Sequence, residues 1–447
     1  ISENNHIHAT QEISVTLTEA ITQIEQNFDL STAPLWDEFE PNLLTVHTQL
    51  ETSESKDSRE TTFGLRSFYT KDKGLFLNQR NVFLRGTLEC CVFPLTGYPP
   101  MHKEGWLKVM QTAKAYGLNH LRFHSWCPPE AAFEAADELG FMLQIEGPFW
   151  AEFGRDPQID SYAYSECEGI LNTYGNHPSF CMLAITNEPS GKNMNTFFAE
   201  ILEHLRKDSR HVYTSGAGWP MIEANDFHVT HHPRAYQWLE GLSARFNAKA
   251  YTSVDYREFI SAQDKPVVSH EIGQWTSYPD YDQIEKYTGV LKPRNLEAFQ
   301  TSLQQNGLAA YAKDFVNASG HLQMLLYKEE IEAALKTPDF AGFQLLDLHD
   351  FPGQGTALVG VLDAFWDNKP YSSSEIFREF CNDTVLLACF EKLTFAQNES
   401  CKVEIKIAHF GKESLQQQTL IWDLRDASSV LKSGKLVIDD LPRGAGF

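Results

Sequence analysis

Two textures of apolar and polar positions divide the chain. Residues 1–77 hold alternating segments such as EISVTL (12–17) and LLTVHTQL (43–50), parted by polar stretches such as ETSESKDSRE (51–60). An apolar residue at every second position suits antiparallel strands with one wet face. From Phe83 apolar runs alternate with amphipathic stretches, the pattern of βα units and a parallel sheet. Eight runs read as strands: NVFLRGTLE (81–89), LNHLRFH (118–124), FMLQIEGP (141–148), FCMLAITNE (180–188), VYTSGAG (212–218), DFHVTHH (226–232), PVVSHEIG (266–273) and AGFQLLDL (341–348). Eight is the number a closed (β/α)8 TIM barrel needs. Helical spacing fills gaps between them, as in 104–117, 129–140 and 195–208, and Gly117 and Gly140 end two of these where a left-handed cap is easiest.

The connection from Gly273 to Ala341 is too long for one unit, so WTSYPDYDQIEKYTGVLKPRN (275–295) is expected to form a loop or small subdomain over the barrel mouth. Alternation returns after about residue 375, in CKVEIKIAHF (401–410) and TLIWDL (419–424). The expected fold is therefore α/β: a barrel over 78–374, a β segment over 1–77 before it, and a second β-rich domain beginning at 375–447.

A length of 447 residues accommodates such a barrel with appendages. No run of roughly 18 apolar residues could span a bilayer. The formal charge of −23, from 60 acidic and 37 basic residues, repels phosphate backbones and anionic lipid, so no nucleic-acid or membrane partner is expected. Neutral substrates fit better, although a local cationic cluster can still receive an acidic sugar. The eight cysteines lack paired CxxC spacing, no HExxH occurs, and the His231-His232 pair lacks metal-ligand spacing, so neither a metal nor a cofactor is expected. FPGQGTALVG (351–360) contains no phosphate-loop motif and reads as a tight turn. The chain starts at Ile1 without an initiator Met or signal peptide, which suggests a fragment of a longer protein; a secreted or periplasmic setting is favoured, and homo-oligomerisation is left open.

Glu188 and Glu271 each end an apolar run, in CMLAITNEPS (181–190) and PVVSHEIGQW (266–275). Side chains at the C-terminal strand ends of a barrel converge on one pocket. Two facing carboxylates are the machinery of glycoside hydrolysis, in which an acid protonates the leaving oxygen and a carboxylate meets the oxocarbenium-like carbon. The 83 residues between them make three units of about 28, near the ~31 of an average barrel. Pro189 disfavours α geometry at Glu188 and should end the strand at the rim. Gly273 lets the backbone turn away after Glu271. Asn187 is placed to hydrogen-bond a sugar hydroxyl. Arg122 is placed to pair with Glu271, and Arg85, His124, His231 and His232 are candidate sugar contacts. Trp126, Trp150, Trp219 and Trp275 all follow strands at one barrel end, where rings stack on sugars or fill loop cores. Glu146 is the rival carboxylate, and Glu89, Asp347 and Asp350 read as hydrogen-bonding groups behind the pair.

These residues together resemble glycoside hydrolase family 2, most closely in FGLRSF (63–68), NVFLRGT (81–87), GLNHLRFHSWCPPEAAFEAADELG (117–140), TNEP (186–189) and HEIGQW (270–275), with similarity from about Leu35 to Lys369. The resemblance implies that 1–77 is part of an immunoglobulin-like β-sandwich, with an upstream sugar-binding sandwich missing, and that 375–447 starts a C-terminal sandwich. It implies a retaining exo-β-glycosidase, β-galactoside-like as first guess, with Glu188 as acid/base, Glu271 as nucleophile, and Asn187, Arg85, Arg122, His124, Trp126, Glu146, His231, His232 and Trp275 around the sugar. The alternatives are a β-glucuronidase, an α-L-arabinopyranosidase, an endo-acting hydrolase or an inactive carbohydrate-binding barrel. Two positions depart from the better-known subgroups: Ile272 follows Glu271 where a Tyr or Phe is usual, and GFQLLDLHDFPGQG (342–355) lacks the usual Trp.

Overall fold

Eight parallel strands close into a barrel in the computed structural model, which describes residues 1–3, 6–16, 19–235 and 250–447. They are β1 (Leu84–Glu89), β2 (His120–Phe123), β3 (Met142–Glu146), β4 (Phe180–Asn187), β5 (Val212–Gly218), β6 (His228–Thr230), β7 (Val267–Ile272) and β8 (Gly342–Leu345), each paired with its neighbour in sequence and β8 with β1. All eight coincide with the runs read from the sequence. They are buried on both faces, which is why they read as near-continuous apolar stretches.

Helices cover the outside. In α1 (Lys103–Ala115), Trp106, Val109, Met110 and Ala113 face inward at helical spacing. The same stripe recurs in α2 (Glu130–Leu139) and in α4 (Met194–Leu205) through Phe198, Ile201, Leu202 and Leu205. Between these two, α3 (Pro157–Tyr174) begins on an Asp156 cap and carries a weaker stripe. Gly117 (φ +83°) and Gly140 (φ +67°) end α1 and α2 in the left-handed region. A Cβ at Gly117 would lie 1.7 Å from the Cys381 carbonyl oxygen.

Toward its mouth the barrel interior is polar. Gln344 of β8 donates to Gln144 of β3 (2.9 Å) and lies 3.0 Å from His120 Nε2 of β2, while Gln144 donates to Glu146 (3.1 Å). This layer forms a hydrogen-bonded floor directly beneath the barrel mouth.

At the opposite end, a three-stranded antiparallel sheet (Phe68–Lys71, Gly74–Leu77, Arg80–Val82) packs Leu75, Leu77 and Val82 against Met142, Met182 and Val268. The expected division at 77/78 falls inside this sheet. Residues 44–51 form a strand as read, but their partner is 56–63, most of which reads as a polar separator, and the described part of EISVTL, 12–16, has no regular structure. A short α5 (Arg257–Ser261) precedes β7, and the β7–β8 connection holds a 3₁₀ turn (Tyr281–Lys286), α6 (Arg294–Gln305) and α7 (Ala312–Leu335). Its backbone joins the β1–α1 loop through Val290 N to Leu95 O (3.1 Å) and Leu291 N to Pro94 O (2.9 Å). Past the barrel lie two antiparallel pairs, Thr384–Phe390 with Val403–His409 and Leu415–Arg425 with Val430–Leu441. No described helix is long and apolar enough to cross a membrane.

Gly117→Ala should lower stability by about 1–3 kcal/mol or more, because the residue must hold a left-handed backbone while its methyl displaces the Cys381 carbonyl. Urea unfolding of the variant beside the wild type measures the loss.

Candidate active site

Arg122, on β2, organises the barrel mouth. It is fully buried, and a guanidinium out of water must be paired. Its Nε donates to Glu146 Oε1 (2.5 Å), its Nη2 to Glu146 Oε2 (3.2 Å) and to Asn187 Oδ1 (2.7 Å), and its Nη1 to Glu271 Oε1 (3.1 Å). Three strand ends are thereby tied to one cation.

Glu271 receives more than Arg122. His270 Nε2 lies 3.1 Å and His124 Nε2 3.4 Å from the same oxygen. Burial alone would raise the Glu271 carboxyl; the His270 ring, the His124 hydrogen bond and the Arg122 guanidinium outweigh it and hold the group well below the ordinary carboxylate value. Glu188, half-buried, is moved the other way: burial and the negative charge of Glu271 raise it, against the weaker pull of Arg122, His124 and Arg234. A carboxylate oxygen of Glu188 lies within 4.8 Å of one of Glu271.

Both glutamates have positive φ, +39° at Glu188 and +52° at Glu271. Such backbone costs of order 1–3 kcal/mol and persists where surroundings over-determine it. Pro189 therefore does not leave Glu188 extended; the Glu188 N–H donates to Ala217 O (2.9 Å) in a left-handed turn. Gly273 (φ +76°) turns the chain after Glu271 against the Tyr327 ring.

Asn187 Oδ1 accepts from Arg122 and lies 3.2 Å from His270 Nε2, which leaves the buried Nδ2 without a protein acceptor. His124 and His231 stand at the rim, His231 edge-on to Trp219 at 6.1 Å. His232 is exposed and stacked on Phe259 (5.1 Å). Trp126 donates its indole N–H to Glu89 O (3.0 Å) and packs on Phe123, and Trp275 donates to Glu330 (3.0 Å), so both rings are held within loop packing. Glu188, His270 and Glu271 are the described group close enough to share a metal, but Arg122 occupies the same Glu271 oxygen, so the donor set disfavours a cation.

Two expected sugar contacts are corrected. Arg85 lies at the far end of the barrel: Leu88, not Arg85, is level with Arg122, and three residues along a strand is about 10 Å. Its Nε donates to Gly117 O (2.7 Å) and its Nη2 lies 4.0 Å from Glu38. Glu146 is fully buried with both oxygens taken by Arg122, Ser125 N (2.8 Å) and Gln144, so it positions Arg122 rather than touching a sugar. The sequence reading also missed Arg234, just past β6, which donates to His270 O (2.5 Å) and whose charge reaches both glutamates. Its only signal was a basic residue four positions beyond the strand.

Beside Glu271, on neighbouring strand ends, lie Glu89 and Asp347, both fully buried. Asp347 Oδ1 accepts from Thr87 (2.6 Å), and Glu89 Oε1 accepts from Val92 N (3.2 Å). Glu89 Oε2 and Asp347 Oδ2 have no hydrogen-bond partner, and His349 Nε2 is 3.6 Å from the latter. Burial pushes both carboxyls up to about 8.

Comparison with known proteins agrees with the resemblance to glycoside hydrolase family 2. The chain is 26% identical over 181 residues to a β-galactosidase of Thermoanaerobacterium thermosulfurigenes, a match covering 39% of this chain and 25% of that protein. Among solved structures, a β-D-mannosidase of Dictyoglomus thermophilum superposes with TM-score 0.62 at 17% identity, over 92% of this chain and 53% of that one. A β-glucuronidase of Parabacteroides merdae gives 0.57 at 16% identity, over 90% and 49%. A GH2 β-galacturonidase of Eisenbergiella tayi gives 0.57 at 17%, over 79% and 60%. The chain thus shares their barrel fold and spans half to three-fifths of their length. Residues 399–447 match a family described as a domain of unknown function, DUF8488.

The raised Glu89 and Asp347 carboxyls have a signed consequence. Between their unfolded values and about 8, the folded chain keeps protons that the unfolded chain releases, so their contribution is full below the unfolded values and is lost as pH rises through about 8. Asp347→Asn and Glu89→Gln should each gain on the wild type by about 2–4 kcal/mol between about pH 5 and about pH 8. Urea unfolding at both pH values tests this; a difference independent of pH would mean that these acids ionise normally.

Proposed function

We propose that the chain is the catalytic barrel of a family 2 glycoside hydrolase, a retaining exo-β-glycosidase in which Glu188 is the acid/base and Glu271 the nucleophile. The observation that carries this reading is the pair itself: two carboxyls within 4.8 Å, one raised and one depressed. Retaining enzymes hold the two groups ~5–5.5 Å apart, and inverting ones leave ~6.5–9.5 Å for water. The spacing supports direct attack.

In the first step, protonated Glu188 delivers its proton to the glycosidic oxygen as that bond breaks, while ionised Glu271 forms a bond to the anomeric carbon. Arg122, His124 and His270 keep Glu271 ionised and aimed. In the second step, Glu188, now a carboxylate, takes a proton from water, which attacks the same carbon and releases Glu271. The free Asn187 Nδ2 donates to the hydroxyl beside the reacting carbon. A β-galactoside-like sugar is the first choice, supported by the curated relative, with a uronide the alternative suggested by the solved neighbours. The domain layout belongs to the same proposal: an immunoglobulin-like segment before the barrel and the start of a β-sandwich after it.

A screen of nitrophenyl β-glycosides identifies the sugar. On that sugar, Glu271→Gln should abolish turnover, and Glu188→Gln should lose about 10²–10⁴-fold with a poor leaving group but far less with dinitrophenolate, which needs little acid help. The kcat/KM profile should fall on the acid side as Glu271 protonates, below the ordinary carboxylate range, and on the alkaline side as Glu188 loses its proton, above it. Glu188→Gln should lose the alkaline limb. Equal losses on both leaving groups would remove Glu188 from the acid role.

A further inference from the structure

Four tryptophans follow barrel strands, and three have their indole N–H groups engaged: Trp126 with Glu89 O, Trp219 with Pro189 O (2.7 Å) and Trp275 with Glu330. All three rings are partly or mostly covered. Trp150 differs, with 65% of its surface exposed. A single exposed aromatic is ordinary on a protein surface, so its position has to decide.

Two sets of contacts fix that position. The Trp150 ring lies edge-on to His124, with centroids 5.9 Å apart and planes at 66°. His124 in turn contacts Glu271 (3.4 Å). On either side, the backbone is sewn to the segment that carries Glu188. Phe149 O accepts from Thr186 Oγ1 (2.8 Å) and Asn187 N (3.4 Å), Ala151 O accepts from Ser190 N (3.1 Å), and Phe153 N donates to Ser190 O (2.9 Å). Residues 149–153 therefore run beside 186–190, and the indole stands at the barrel rim, against His124 and on the segment that flanks Glu188.

We infer that Trp150 is the platform for the leaving group, stacking the apolar C–H face of a second pyranose ring on its exposed indole. The inference rests on Glu188 being the acid: the acid protonates the leaving oxygen, so the departing sugar lies on the Glu188 side, where the Trp150 backbone is anchored. A flat ring held by backbone hydrogen bonds loses little freedom when a sugar stacks on it. The substrate class that follows is a β-linked di- or oligosaccharide rather than the glycoside of a small alcohol.

Calorimetric binding to Glu188→Gln, with and without Trp150→Ala, tests this with galactobiose, cellobiose and mannobiose against the matching monosaccharides. At least one disaccharide should bind more tightly than its monosaccharide, and Trp150→Ala should weaken that disaccharide about tenfold while changing the monosaccharide less than about twofold. Trp150→Phe should retain most of the affinity, and its thermal midpoint guards against misfolding. Equal weakening of both ligands, no weakening, or no preference for any disaccharide overturns the platform. Failure of the catalytic reading shows separately, as absence of nitrophenyl glycoside turnover by the wild type.

Discussion

One buried cation holds the barrel mouth together. Arg122 has no access to water, and its four hydrogen bonds go to Glu146, Glu271 and Asn187. Removing one partner of such a pair strands a charge at a cost of about 3–5 kcal/mol, so the three strand ends are locked in register around it. Beneath it, Gln144 ties Glu146 to the Gln344–His120 layer, and the site is supported from within the barrel rather than by mobile loops. Glu146 is the clearest beneficiary of this view: it is a carboxylate at the right strand end that does its work through Arg122.

The same arrangement makes two glutamates unlike. Glu271 sits among donors and is held ionised; Glu188, less than 5 Å from that charge and with no donor of comparable strength, is kept protonated more readily. Each environment depends on the other, because the anion fixed by Arg122, His124 and His270 is what raises its neighbour. The strained backbone at both positions fits this picture, since the hydrogen bonds and packing around them hold the side chains where relaxed strands would not.

Much of this was legible in the sequence, for a physical reason. Strands buried on both faces are apolar throughout, so all eight stood out, and the glutamates ending two of them marked one rim. The pairing of Arg122 with Glu271 followed from the cost of a charge inside a strand. Arg85 misled by the same rule: it sits midway in the run 81–89, but the barrel strand begins only at Leu84, which puts Arg85 at the end away from the mouth. The tryptophans are comparable, since one-dimensional spacing placed four at the same rim without showing which rings the loops cover. Arg234 and the orphaned oxygens of Glu89 and Asp347 depend on contacts between distant segments, for which the chain carries no local pattern.

The central claim is that Glu271 becomes covalently bonded to the sugar. Incubation with a 2-deoxy-2-fluoro glycosyl fluoride of the preferred sugar, followed by proteolysis and mass spectrometry, tests it most directly, because the fluorine slows release of the intermediate. The account predicts one added fluorosugar on the peptide containing Glu271, and none after Glu271→Gln. An adduct on Glu146, Glu89 or Asp347, or hydrolysis with inverted product and no adduct, would contradict it.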